Sequence, residues 1–373
     1  MKFSDSENEY LFWLSQIPGI GAVTIRKLQL KFEHYQNVFQ AAYANNIEEK
    51  ALSEELRLKK GQWSAVCAAV GRLDECREQM RDMRSRNISF VSHLDPNYPK
   101  RLLEIPDFPV ALYVRGELPK EKHPSVAIVG ARNCSAYGEQ IAEKFARMLS
   151  EEGVQIISGL ALGIDGAAHR GALQGKQHTY AVLGCGVNIC YPSANYKLYE
   201  AMMESGGIIS EFPMNTKPNP RNFPMRNRII SGLSDAILVV EAKERSGSLI
   251  TAELGLDQGR EIFAVPGRVT DYLSAGCNSL IKQGAHLANS PNDVLEYLGV
   301  KCQKELIIHE KSTNGLAKRE KIVYSCIDFK PKHLDQIVSE CGLSITECMG
   351  LLMELELGGY IFRTGNHYYG KIL

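Results

Sequence analysis

From Ser125 to Leu298, short runs of mostly β-branched apolar residues alternate with segments whose apolar positions recur at helical spacing. The runs are SVAIVG, VQIISG, YAVLG, GIISEF, AILVVE and EIFAVPG, and each ends at or near glycine or proline. Amphipathic stretches such as YGEQIAEKFARMLSEEG lie between them. Strands that are apolar throughout, joined by helices, belong to a parallel sheet covered on both faces. The pattern therefore predicts an α/β fold with a Rossmann-like open parallel sheet core. Ligands of such sheets sit beyond the carboxyl ends of the strands, where the loops lie.

The flanks follow different rhythms. Residues 1–86 read as a helical domain of SAM-like or helix-hairpin-helix type, because IPGIGAVTIRKL has the h-x-G-h-G form of a helical hairpin. Its glycines Gly19 and Gly21 either turn backbone N–H groups toward a phosphate or simply join two helices. Residues 87–300 hold the sheet domain, preceded by a proline-punctuated stretch to about residue 120 that reads as a short extended connection. Residues 301–311 form a polar linker, and 312–373 give three helical segments followed by the two-stranded ending YIFRTGNHYYGKIL, the order of a winged helix. The third of these helices carries Glu347, Glu354 and Glu356 and no Lys or Arg, so it suits a protein partner better than a DNA groove.

Composition narrows the classes. The chain has 373 residues, 44% of them hydrophobic, with Lys+Arg and Asp+Glu both at 43. Any anion site must come from local clustering. Ten cysteines lie scattered through apolar stretches with no CxxC pair, which fits a reduced, cytoplasmic protein with neither disulfides nor a zinc site. No apolar run reaches the roughly 18–20 residues of a membrane span.

Candidate chemistry gathers in four loops. GARNCSAYG, Gly130 to Gly138, lacks the GxGxxG spacing of a dinucleotide fingerprint, so no cofactor is expected. Its small residues before a helix at Tyr137 offer N–H groups to a phosphate with Arg132 adding charge; a tight turn with a solvated arginine accounts for the same residues. In SGLALGIDGAAHRGAL, Asp165 reads as a helix N-cap rather than a catalytic acid, and His169 as a structural residue. Between Glu211 and Asp235 there is no acid, while Lys217, Arg221, Arg226 and Arg228 flank Phe223 and Asn227. Cations interleaved with an aromatic suit single-stranded nucleic acid, since guanidinium pairs with phosphate while a ring stacks on a base. A solvated charged face with Phe223 in the core is the alternative. In RSGSLITAELG, Ser246, Gly247, Ser248 and Thr251 put hydroxyl and amide donors at a helix start, which suits phosphate, ribose or simple capping.

Taken in order, SVAIVGAR, SGLALGIDGAAHRGAL, FPMRNRIISGLS, SGSLITAELGLDQGREIFAVPG and GCNSLIKQGA resemble the DNA-processing protein A family (DprA, also called Smf) of natural transformation and recombination. The resemblance implies a homodimer through the Rossmann-like domain that binds single-stranded DNA without catalysis and passes it to a RecA-type recombinase. It also implies a DNA pocket containing Arg132, Phe223, Arg226 and Arg228. With the neighbouring donors, the expected DNA-binding set is Gly130, Arg132, Lys217, Arg221, Phe223, Arg226, Asn227, Arg228, Ser246, Gly247, Ser248 and Thr251. Two positions depart from the family pattern. Pro220 and Arg221 stand where many members have a lysine, and Leu162 stands where some have a basic residue. A second resemblance, of SGSLITAE to the PGGxGTxxE loop of nucleoside monophosphate phosphoribohydrolases, would make Glu253 a catalytic carboxylate with Asp165 or Glu211 as its partner.

Overall fold

The computed structural model describes residues 3–300 and 316–372; the expected linker 301–311 and the first residues of the expected winged-helix range, 312–315, lie outside the described residues. The six apolar runs form parallel strands: β3 (Ser125–Val129), β4 (Gln155–Ser158), β5 (Thr179–Val182), β6 (Gly206–Ser210), β7 (Ala236–Val239) and β8 (Glu261–Ala264). They are preceded in the chain by β1 (Ile88–Ser92) and β2 (Ala111–Gly116) and followed by the short edge strand β9 (His286–Leu287). The sheet order is β1-β2-β6-β5-β4-β3-β7-β8-β9.

The proline-punctuated connection is thus part of the sheet. β2 pairs antiparallel with β6, and β1 antiparallel with β2. The apolar run ALYV in ALYVRG, buried throughout, supplies the strand, while the prolines stay in the loop between β1 and β2, where no ladder N–H is needed.

Starting at β3, the chain builds outward through β4, β5 and β6, then returns past β3 through the helix Asn222–Gly232 to lay down β7 on the other side. Loops after β3 and β7 consequently diverge and open a crevice between them. The strands are apolar on both sides because both faces are covered. Ala136–Glu151 and Ile164–Leu173 pack on one face, around Val126, Ile128 and Leu238. Asn222–Gly232 and Gly247–Asp257 pack on the other, around Ala127, Val129, Ile237 and Val239.

The N-terminal helices, from Phe3–Ser15 to Leu73–Ser85, share one apolar cluster with the β1–β2 end of the sheet. Phe12 meets Phe90 edge-on at 5.2 Å, and the Gln16 side-chain amide donates to the Tyr113 hydroxyl at 2.8 Å. In the hairpin, Gly19 takes φ of 82°, which a side chain would resist, and Gly21 caps the helix Ala22–Phe32. At the other end of the chain, helices Lys318–Ser325, Leu334–Cys341 and Ile345–Leu357 pack with β10 (Lys332–His333), β11 (Ile361–Thr364) and β12 (Tyr368–Lys371) in a winged helix. No helix among the described residues is long and apolar enough to cross a membrane.

Candidate functional site

A cavity of about 840 Å³ opens where β3 and β7 part, at the carboxyl edge of the sheet. The loop after β3 contributes Gly130 and Arg132, the loop after β4 Ala161 and Asp165, and the loop after β5 Tyr191. The segment after β6 brings Lys217, Phe223, Arg226 and Asn227, and the loop after β7 brings Lys243, Arg245, Ser246, Gly247, Ser248 and Thr251. Five cationic side chains (Arg132, Lys217, Arg226, Lys243, Arg245) line it against one carboxylate (Asp165). The neutral chain concentrates positive charge here, as its local clustering predicts.

Arg226 is the floor of this cavity. It lies on the first turn-and-a-half of the helix Asn222–Gly232 and is 4% exposed. Its guanidinium donates to the carbonyls of Gly159 (2.9 Å) and Val182, the residues that end or follow β4 and β5, and to Asn227 Oδ1 at 3.1 Å. Burial, with Arg132 adding to it and Asp165 opposing, draws its pKa down to about 10, so it remains charged at neutral pH. Burial in turn raises the Asp165 pKa, against the nearby Arg226 charge. Asp165 is not an N-cap. Gly163 holds that position in the helix Ile164–Leu173, and Asp165 turns back to accept from the Gly159 N–H at 3.2 Å. Gly163 is required there, since its φ is 73° and a β-carbon would stand 2.3 Å and 2.5 Å from the carbonyl oxygens of Ala131 and Arg132. Leu160, in the same turn, also adopts a left-handed φ of 56°, and Asn195 holds it by donating to the carbonyls of Leu160 and Ala161.

Phe223 is clamped rather than free. Its ring lies 5.2 Å from the Arg132 guanidinium and 5.7 Å from the Tyr191 ring, nearly parallel to it. Gly184 lets its edge approach so closely that a β-carbon there would stand 2.8 Å from Cδ1.

Three of the helices that begin near the cleft differ in charge. The helix Ala136–Glu151 is capped by Ser135 Oγ, which accepts from Gly138 N–H at 3.0 Å. Glu241 stands at the same end, its carboxylate accepting from Ser135 N–H at 2.8 Å and from Ser135 Oγ at 2.5 Å. Gly138 leaves room for that carboxylate, which a β-carbon would overlap. The phosphate seat expected at GARNCSAYG is therefore filled by the protein itself, although Arg132 still lines the cleft. The helices Asn222–Gly232 and Gly247–Asp257 have no acid in their first turns and bring Phe223 and the N-cap Ser246 to the cleft. Anions are favoured at such ends.

Ten of the twelve expected residues line the cavity: Gly130, Arg132, Lys217, Phe223, Arg226, Asn227, Ser246, Gly247, Ser248 and Thr251. Two do not. Arg221 is exposed ahead of the helix and only caps it. Arg228 points the other way, donating to Glu211 and, at 2.9 Å, to Asp107, with 9% of its side chain exposed. At 100° per residue, positions 226 and 228 fall on opposite sides of a helix, so one cannot join the other in the cleft. Of the carboxylates considered for catalysis, Glu211 is held by Arg228, Asp165 lies beside Arg226, and Glu253 is exposed on the helix Gly247–Asp257 and lines no part of the cavity. His169 is fully buried against Thr179, whose hydroxyl donates to Ile156 O, so Nδ1 of His169 carries the proton. Sequence reasoning missed Tyr191, Lys243 and Arg245; their places in loops after β5 and β7 are the signal that could have found them.

A family model described as DNA recombination-mediator protein A matches residues 89–299, more than half of the chain. The chain belongs to this family. A second model, the DprA winged helix domain, matches residues 309–366. Protein Smf of Escherichia coli is 42% identical over 270 residues, 71% of this chain and 72% of that protein. Protein Smf of a Synechocystis species is 31% identical over 95% of this chain and 97% of its own length. The X-ray structure of DNA processing protein A from Streptococcus pneumoniae superposes with a TM-score of 0.63 at 34% identity, covering 81% of this chain and 99% of that one. The DNA processing protein A from Helicobacter pylori, described as having a unique single-stranded DNA binding mode, matches with a TM-score of 0.52 at 30% identity over 57% and 95% of the two chains. The recombination-mediator match covers the whole sheet from β1 to β9 and with it every loop that builds the cleft.

Proposed function

We propose that this recombination mediator binds single-stranded DNA in the cleft between β3 and β7, without catalysis, and delivers it to a RecA-type recombinase as a homodimer in the cytoplasm. The observation that carries the reading is the cation excess of the cleft beside clamped aromatic rings, with Glu211 paired to Arg228, Asp165 accepting from the Gly159 N–H beside Arg226, and Glu253 outside the cleft. Phosphates pair with Arg132, Lys217, Lys243 and Arg245 and with the two helix ends that carry no acid, while aromatic surface takes bases of any identity. A duplex hides the base faces, so single strands bind better. The Helicobacter pylori neighbour, described as binding single-stranded DNA, supports this.

The winged helix serves a protein partner. Its third helix exposes Ile345, Met349, Met353 and Leu357, four residues apart on one face, beside the exposed Glu354 and Glu356. Apolar surface rimmed with acid repels phosphate and suits a polypeptide.

The test is fluorescence anisotropy of a labelled oligo(dT) and a matched duplex across a salt series, with wild type and the Arg132→Ala/Lys243→Ala variant. Each phosphate contact contributes roughly −0.7 to the slope of log K against log salt on a single strand, so the variant slope is shallower by about one unit or more. Absence of single-strand binding, or release of free base from nucleoside monophosphates that Glu253→Gln abolishes, overturns the reading.

A further inference from the structure

The winged helix brings three cysteines into one neighbourhood. Its helices Leu334–Cys341 and Ile345–Leu357 are joined by a three-residue turn in which Gly342 takes φ of 68°. Cys341 is the last residue of the first helix, and Cys348 lies in the first turn of the second, buried on the same side as Leu352 and Leu355. Their Sγ atoms stand 4.0 Å apart. Cys348 has no exposed surface, while Cys341 is half-buried. Cys326, which follows the helix Lys318–Ser325, packs on the same core.

Other thiols of the chain are turned to their own backbone. Cys326 Sγ donates to Ile322 O at 3.3 Å, one turn back in its helix. Cys185 and Cys190 donate at 3.5 Å to Ile189 O and Pro192 O, carbonyls of the loop they share. Cys341 and Cys348 instead come from separate helices, and each sulfur has the other as a neighbour. Cysteines that only fill space as small apolar groups have no need of such a meeting. A disulfide holds its sulfurs about 2.05 Å apart, so closing this pair takes about 2 Å of movement. The movement falls to Cys341, at a helix end before a left-handed glycine, where a terminal turn frays readily. Cys348 is held by the core around it.

We propose that Cys341 and Cys348 are a redox-modifiable dithiol, closed by a small disulfide such as oxidised glutathione, whose closure ties the end of Leu334–Cys341 to Ile345–Leu357. Burial, with the Cys341 and Cys326 sulfurs adding to it, pushes the Cys348 thiol up to about 12, so it stays protonated at neutral pH. The half-buried Cys341 is therefore the thiol that reacts first. Its thiolate attacks one sulfur of glutathione disulfide, forming a protein–glutathione bond and releasing one glutathione thiolate, which takes up a proton. Cys348 then gives up its proton and attacks Cys341 Sγ, expelling the second glutathione as a thiol. Two protein thiols are oxidised to a disulfide, and one glutathione disulfide is reduced to two thiols. The bond forms on the inner side of the helix whose outer side exposes Met349 and Met353.

The experiment treats the folded full chain with oxidised glutathione, quenches with acid, alkylates the remaining thiols and maps the peptides by mass. Cleavage after Glu340, Glu347 and Glu354 puts the two cysteines on separate peptides, 341–347 and 348–354. Wild type should yield these two joined, about 2 Da lighter than the sum of their thiol forms. Cys348→Ala should stop half-way, with glutathione retained on Cys341. Cys341→Ser should leave Cys348 as a free thiol, and Cys326→Ser should match wild type. Hydrogen exchange of residues 338–347 should slow in the oxidised wild type relative to the reduced one. Wild type in which both cysteines remain open to alkylation would overturn the proposal, as would Cys341 bonded to any other cysteine, Cys302 included. Unchanged exchange after the bond has formed would overturn the claim that it ties the two helices.

Discussion

Replacing Arg228 with alanine separates scaffold from binding surface in the most basic stretch of the chain. The guanidinium holds two carboxylates, Glu211 with 15% and Asp107 with 59% of the side chain exposed. The Asp107 pair is open to solvent and contributes about 0–1 kcal/mol. Glu211 dominates, because removing one partner of a buried pair costs about 3–5 kcal/mol when the other charge is left behind. Burial already raises the Glu211 pKa, with Arg228 opposing it. The abandoned carboxyl therefore relieves part of the cost by taking up a proton, and the lower end, about 3 kcal/mol, is expected. For a unit of roughly 150–250 residues that lowers Tm by about 6–12 °C. Thermal melts of Arg228→Ala should show this fall, and the paired Arg228→Met/Glu211→Met variant should recover most of it. Salt-dependent anisotropy with oligo(dT), run well below the melting range, should show an unchanged slope. A variant that melts within about 2 °C of wild type while losing more than tenfold in affinity, with a shallower slope, would place Arg228 among the phosphate contacts and refute the assignment.

Deleting residues 312–373 should leave oligo(dT) affinity within tenfold of the full chain, about 1.4 kcal/mol; a larger loss in the anisotropy assay would make the winged helix a DNA-binding element. Burial, aided by the charges of Arg226 and Arg170, holds His169 down to about 3. The unfolded chain gains a proton below about 6.5 that the folded chain refuses, so this residue lowers stability as pH falls from about 6.5 toward 3. Asp165 and Glu211, whose folded pKa values are raised, act in the opposite direction, so the comparison is between wild type and His169→Asn. Urea titrations at pH 7 and pH 5 should show a stability loss about 2 kcal/mol smaller in the variant, and equal losses would mean that His169 titrates normally.

The six parallel strands were legible because each is buried on both faces and therefore apolar throughout, a pattern that flanking glycines and prolines delimit sharply. β1 and β2 were not, since the prolines between them read as an irregular connection while the hydrogen bonds that define β2 come from β6, some ninety residues later. Nothing local announces such a pairing. At the site, Phe223, Arg226 and Asn227 came together because spacings of three and four residues share a helix face, and the same rule applied strictly excludes Arg228. Tyr191 lay hidden for a different reason. It belongs to a loop, CGVNICYPSAN, that has no charge or glycine pattern to mark it, and its importance comes entirely from meeting Phe223, thirty-two positions on.

Glu241 ties the cleft to the chemistry of the surrounding cell. A compartment that contains DNA also contains free nucleotides, and a helix end open to phosphate would be occupied by those monomers for much of the time. A carboxylate fixed in the chain competes at an effective concentration that a diffusing phosphate does not reach. With that seat closed, what remains around the cleft is two other helix ends and several separate cations, spread apart, and they reward a ligand that presents several phosphates at once. Preference for polymer over monomer would then be set by a charge that never touches the polymer.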